Sequence, residues 1–477
     1  MNEAKKAALA AIEQQSALLE HVSDSIWKYA ELLLQEHKSA ALFCQVLKEQ
    51  GFAVELGICG IETAFSAAFG SGGPVIGILA EYDALAGLSQ QGGCTEKCPI
   101  VPGGTGHGCG HNMLGAGALA AALGVKHYLE HTGCPGTVVL HGCPGEEGGA
   151  AKAFMARDGL WRGLDAALTW HPDDCNEAAT GTTNACIQVQ YLFHGIASHA
   201  AGAPEKGRSA LDAVTLMNLG VEFLREHMDT KSRVHYTITN GGGYSPNVVP
   251  AEASVLYMVR SNQVKKALTL QDRVDDIARG ASLMTGTTYT RKFIDGLAET
   301  IPNHALESLL HKNLTAVGVP SYTPEELTFA DALAATFDGA EYIPGSGQDD
   351  PAYAAQVKAL RGGHAMNDFI LPLYTGQAFS PGSTDVGDVS WQCPTAQLHI
   401  AAWPNGCPGH SWQNVSCGKS SIGHKAILCA GKVLCAAAVD LLTQPELLAA
   451  ARAEFAESTA AGYSCPIPAE AVPTIPE

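Results

Sequence analysis

The chain has 477 residues, 46% of them hydrophobic and 16% charged, with 52 glycines, a balance that excludes a disordered or fibrous protein and suits an α/β enzyme with many tight turns. That length exceeds one ordinary core, so at least two domains are expected. A formal net charge of −19 with no basic run excludes a nucleic-acid surface, which would need clustered Lys and Arg.

The opening MNEAKKAALAAIEQQ is charged and helix-forming and lacks the apolar stretch of a signal peptide or anchor, so a cytoplasmic protein with no membrane partner is expected. Residues 2 to about 50 predict two helices from apolar positions at helical spacing, with the glycine of QGF as a stop. Three segments then share one design: GPVIGILAEYDAL, GTVVLHGCPGEEGG and DAALTWHPDD are each a short apolar run that ends in acidic residues or histidine. Between them MLGAGALAAALGVKHYLEH and AKAFMARDGLW predict crossover helices, and hence a mostly parallel sheet with helices on both faces. In such sheets ligands bind beyond the carboxyl ends of the strands.

From about residue 184 the rhythm changes to strand, helix, strand, strand, helix, strand, a βαββαβ ferredoxin-like order. It is expected as an inserted domain over 184–298, dividing an α/β body into 1–183 and 299–477. The second part begins with helices around 304–317, passes a Gly/Pro-rich region near 343–384 and reaches the apolar helix HKAILCAGKVLCAAAVDLL. The Pro-rich end, CPIPAEAVPTIPE, is expected to be loosely held. Fifteen cysteines are spread thinly and often sit in apolar surroundings, as Cys429 and Cys435 do, so reduced buried thiols are expected. Cys94 and Cys98 in GGCTEKCP stay open as a small metal or redox pair.

The chemistry concentrates at the strand exits: Glu81 and Asp83 in AEYDAL, Cys109 and His111 in HGCGHN, Glu146 and Glu147 in GEEGG, His171 in WHP, and His410 in CPGHSWQ. Thiolate, imidazole and carboxylate are all ligands for zinc-like ions. Any one of these residues alone reads as an ordinary surface or core group; together, at successive strand ends, they point to a site. His107, between the same glycines, reads first as a loop or supporting residue and is not taken as a ligand.

These motifs, in this order, resemble those of the two-metal aminoacylase/carboxypeptidase amidohydrolases, a metallopeptidase family. The resemblance spans nearly the whole chain and includes SHAAGAPEKGRSALDA and NVVPAEA in the insertion, and GSTDVGDVSW before HSWQ. It implies two divalent ions, Zn²⁺ or Mn²⁺, held by Cys109, His111, Glu147, His171 and His410, with Glu146 as general base and Asp83 orienting a ligand. It further implies that His199, Asn247 and Arg260 of the inserted lid hold the substrate carboxylate and the developing oxyanion. The expected reaction is cleavage of the amide of an N-acyl or N-aroyl amino acid, p-aminobenzoyl-glutamate first. The alternatives are a dipeptidase or another N-acyl amino-acid hydrolase, or a weakly catalytic partner subunit of a heteromeric hydrolase. The lid implies a homodimer or a heteromer with a homologous subunit. Asn112 departs from the aspartate of many auxin-conjugate hydrolases, and Glu81 stands where related aminoacylases have histidine.

Overall fold

The computed structural model describes residues 1–474. Its strands are, in chain order, β1 (Ala53–Leu56), β2 (Phe65–Ser71), β3 (Val75–Ala80), β4 (Gly136–Gly142), β5 (Ala166–Asp173), β6 (Glu177–Ala179), β7 (Ala185–His194), β8 (Arg233–Asn240), β9 (Glu252–Ser261), β10 (Thr288–Leu297) and β11 (Thr395–Ala401). The larger sheet has the order β1-β2-β4-β3-β5-β11-β6. Its centre, β4-β3-β5-β11, is parallel, and the outer pairings β1-β2, β2-β4 and β11-β6 are antiparallel. The central strands are continuous apolar runs because both faces are covered; Ile76, Ile78, Leu168 and Trp170 are buried.

The helix His111–Thr132 lies against this sheet and against Ser421–Thr443. Small residues allow the close approach: a Cβ on Gly431 would come within 2.5 Å of Ala120, and one on Gly117 within 2.5 Å of the Trp170 ring. Ser421–Thr443 is long and apolar enough to cross a membrane, yet 83% of its most apolar window is buried in this core.

The smaller sheet, β10-β7-β9-β8, is antiparallel throughout, with register shifts between Phe293 and Asp295 and between Ile238 and Asn240. The helices Ala210–Leu224 and Val264–Thr285 cover it, and Val189, Tyr191, Val214, Tyr257 and Val274 fill the space between. The βαββαβ order is the one expected from the sequence.

The first 50 residues hold three helices rather than two, Glu3–Gln14, Ser16–Tyr29 and His37–Glu49. The chain breaks at Gln15 and again at Ala30, which is left-handed with φ 43°, while the apolar spacing runs on through the first break. The Pro-rich end is anchored rather than loose: Ile467 is buried, and Arg157 donates to the carbonyls of Pro468 and Ala471. Residues 475–477 of that segment lie outside the described residues. All fifteen cysteines are free thiols, with Cys94 half-buried and Cys98 exposed.

Candidate metal and catalytic site

The loop after β3 turns into the helix that begins at His111 through Gly110, whose φ is 74° and where a Cβ would lie 2.7 Å from Pro172. Only glycine fits there, and the turn brings Cys109 to the carboxyl end of β5. Cys109 Sγ stands 3.3 Å from His171 Nε2. His171 Nδ1 is 2.7 Å from the Pro172 carbonyl, so it carries the ring proton and leaves the Nε2 lone pair facing the thiol. Likewise His111 Nδ1 donates to Asp83 Oδ1 at 2.8 Å, and the other oxygen of Asp83 accepts from the Glu147 N–H at 2.9 Å. One carboxylate therefore fixes both a ring tautomer and the loop that carries the paired glutamates. His410 reaches Glu147 Oε1 at 3.4 Å from a left-handed backbone with φ 52°, a strained conformation typical of functional positions.

Donor atoms gather in three overlapping groups, Cys109–His111–His171, Cys109–Glu147–His410 and Glu81–His111–Glu146, each within 4.8 Å. His111 Nε2 and Glu147 Oε1 are buried with no hydrogen-bond partner. Buried polar atoms are normally satisfied, so these two vacant lone pairs, in a set of thiol, imidazole and carboxylate donors, fit divalent cations. Burial, reinforced by Glu81 and Glu147, pushes Glu146 well above the usual carboxylate range, and burial also raises Glu147 and the Cys109 thiol. Burial and then His111 lower His171 to about 4, keeping it a neutral ligand at ordinary pH. Glu81, Cys109, Glu146, Glu147, His171 and His410 all line one cavity of about 540 Å³.

The five expected ligands, the expected base and Asp83 thus come together from three strand ends, the start of the helix at His111 and a late loop. The lid residues do not. His199 is exposed, its Nδ1 accepting from Gly202 N at 3.0 Å, and the exposed Asn247 accepts from Ala200 N through its carbonyl at 2.9 Å. Arg260 sits at the cavity margin, donating from Nη1 to Ser383 Oγ at 2.7 Å, and Ser383 lines the cavity. His107 is a buried brace, Nε2 3.0 Å from the Ile26 carbonyl, and Asn112 donates to Ser23 Oγ and the Gly418 carbonyl.

Sequence reasoning missed Lys152 and Asp385, which pair in the buried floor of the site and meet Glu81, and His399, which faces Asp173 at 3.1 Å beside His171. Lysine in a short apolar helix carries no signal of its own. The alternation of QLHI on β11 would have placed His399 level with His171, had that strand pairing been known.

A parallel sheet whose strand ends gather a thiol, imidazoles and paired carboxylates in one cavity defines a hydrolase of the metallopeptidase type. The pattern of the peptidase dimerisation domain matches residues 184–283. The chain is 43% identical over 472 residues, 97% of each chain, to a p-aminobenzoyl-glutamate hydrolase subunit of Escherichia coli (strain K12). It is 27% identical to the Xaa-Arg dipeptidase of Mus musculus, covering 94% of this chain and 92% of that one. Among solved structures, the fold is shared with an aminobenzoyl-glutamate utilization protein from Klebsiella pneumoniae (TM-score 0.57, 16% identity, 89% of this chain and 96% of that one). It is shared also with a Bacillus subtilis protein described as a dinuclear metal binding peptidase from the M20 family (TM-score 0.54, 16% identity, 91% and 99%). The chain belongs to the M20 peptidase family, whose hydrolases act on amide bonds.

Proposed function

We propose that this enzyme hydrolyses the amide of an N-aroyl amino acid, p-aminobenzoyl-glutamate first, releasing p-aminobenzoate and glutamate. The observation that carries the reading is Glu146, a half-buried carboxylate on the cavity wall beside two donor groups that share Cys109. The extent of likeness to the Escherichia coli hydrolase supports the substrate. A purely binding role has less support, because the proposed base and the proposed donors are all present and close together.

Cys109, His111, Glu147, His171 and His410 would hold two divalent ions, Zn²⁺ or Mn²⁺, the thiolate favouring zinc. When bound, the ions supply Lewis acidity towards the amide carbonyl and an acidified water. Glu146 takes the proton of the attacking water and passes it to the leaving nitrogen. Asp83 keeps the His111 lone pair turned to the cluster. The planar fork of Arg260 suits the substrate carboxylate, and its contact with Ser383 sets it at the cavity rim. Residues 184–298 act as a lid between body segments 1–183 and 299–477. Through it the chain forms a homodimer, or a heteromer with a homologous subunit, in which His199 and Asn247 serve a neighbouring cavity.

The test is release of p-aminobenzoate by the purified chain after chelation and after return of Mn²⁺ or Zn²⁺, with Glu146→Gln as control. Release only by the wild type, and only with metal, is expected. Metal uptake without turnover on this substrate would reject it.

A further inference from the structure

We infer that Lys152 is a positioning residue for the metal cluster: it occupies one oxygen of Glu81 and turns the other towards His111 as a further donor for a divalent cation. The inference rests on the metal-dependent reading above. Lys152 lies in the short helix Ala151–Arg157 and is 0% exposed. Its Nζ is 2.7 Å from Glu81 Oε1 and bonded to Asp385 Oδ1, and its backbone N–H donates to Asp385 Oδ2 at 2.9 Å. A buried ammonium needs an opposing charge, and Asp385 alone provides it. Glu81 therefore brings a surplus negative charge to the floor of the site.

That surplus has a direction. Glu81 Oε2 faces His111 Nε2 at 3.3 Å, and the His111 ring proton is engaged on the other nitrogen by Asp83. A carboxylate oxygen and an imidazole nitrogen this close need positive charge between them, a proton on Nε2 or a metal ion, and the thiol and carboxylate donors gathered around His111 fit the ion. Glu146 brings its own oxygen into the same 4.8 Å group, completing three donors. With Oε1 held by Lys152, Glu81 can offer only Oε2, so the lysine sets both the orientation and the single-oxygen mode of the contact. Asp385 in turn follows Ser383, the partner of Arg260, so the same lysine ties the cavity rim to the cluster.

The experiment is calorimetric titration of the metal-free full chain with Co²⁺ and with Mn²⁺, folding being followed by thermal melting. Wild type is expected to take two equivalents; uptake of none would overturn the metal-dependent reading itself, and this inference with it. In Lys152→Met and in Glu81→Gln, one equivalent is expected to weaken by about 10–100-fold, the scale for loss of a group that orients a ligand, while the other is unchanged. Lys152→Arg should recover much of the loss. A merely structural lysine would lower the melting temperature and leave both affinities alone. Because Lys152→Met leaves Asp385 unpaired, Lys152→Met/Asp385→Asn is measured beside it, and Glu81→Gln, which keeps the lysine, decides the matter if neither lysine variant folds. Two wild-type equivalents together with unaltered binding by folded Glu81→Gln would overturn the role of Glu81 and, with it, that of Lys152.

Discussion

Glu146 and Glu147 are adjacent in the chain but differ in what holds them. Glu147 is tied to Asp83 through its backbone and its carboxylate lies near His410 without a hydrogen bond, whereas Glu146 faces the cavity among other carboxylates. Burial and these neighbours favour its protonated form, and positive charge in the cluster would favour the carboxylate that the proposed base requires. Glu146→Gln should lower kcat by about 10²–10⁴-fold. Metal content, measured by elemental analysis, should be unchanged, and a parallel loss of metal would show Glu146 to be chiefly a ligand. Asp83→Asn should act in the opposite sense: with His111 no longer oriented, metal affinity should fall by about 10–100-fold, read by competition with a chelator. The residues legible in the sequence were those whose chemistry is packed locally, as in GHGCGHN, EEGG and WHP. Glu81 was visible as a strand-end acid but not as a partner of His111. Lys152 and Asp385, 233 residues apart, become a pair only when the fold closes.

At the scale of elements, the helix His111–Thr132 begins on the proposed ligand His111, so its seating transmits directly to the donor cluster. A methyl group at position 431 has nowhere to go, being within 2.5 Å of Ala120. Gly431→Ala should therefore cost about 1–3 kcal/mol in chemical unfolding, and unaltered stability would mean that the two helices separate freely. β10 carries a second liability. Burial, then the proximity of Asp385, raises Asp295 to about 8, with Arg260 and Gln188 only partly compensating. The folded chain thus holds a proton that the unfolded chain releases near its ordinary carboxylate range, so this contribution is full in acid and is lost as pH rises through about 8. Asp295→Asn should leave Tm unchanged near pH 4 and raise it at pH 8, by about 1 °C for each kcal/mol recovered in a chain of this length. An equal shift at both pH values would assign the effect to packing. Apolar runs announced the strands of the body, but the antiparallel edges were not legible: periodicity reports that a strand exists and not which way its neighbour runs.

At the scale of the molecule, the two residues proposed to complete the site lie on the inserted domain, away from the cavity of their own chain. His199 and Asn247 lie together on its exposed surface, joined by the short bridge His199↔Val248, and neither lines the cavity of its own chain. The same lid exposes Phe223, Leu283 and Met284 on its helices and most of β8, an unpaired sheet edge, surfaces that a second chain can cover. If one chain's lid completes another's cavity, two different lesions can be sorted into one damaged and one intact site. Separately purified His199→Ala and Glu146→Gln proteins should each be nearly inactive. Mixed under conditions that exchange subunits, they should recover about a quarter of wild-type activity, since half the dimers are mixed and each mixed dimer has one intact site. Recovery should rise with the rate of exchange. Failure to recover, with exchange demonstrated by differently labelled subunits, would mean that His199 swings into its own cavity, and the lid would then be a hinged cover within one chain rather than a shared wall.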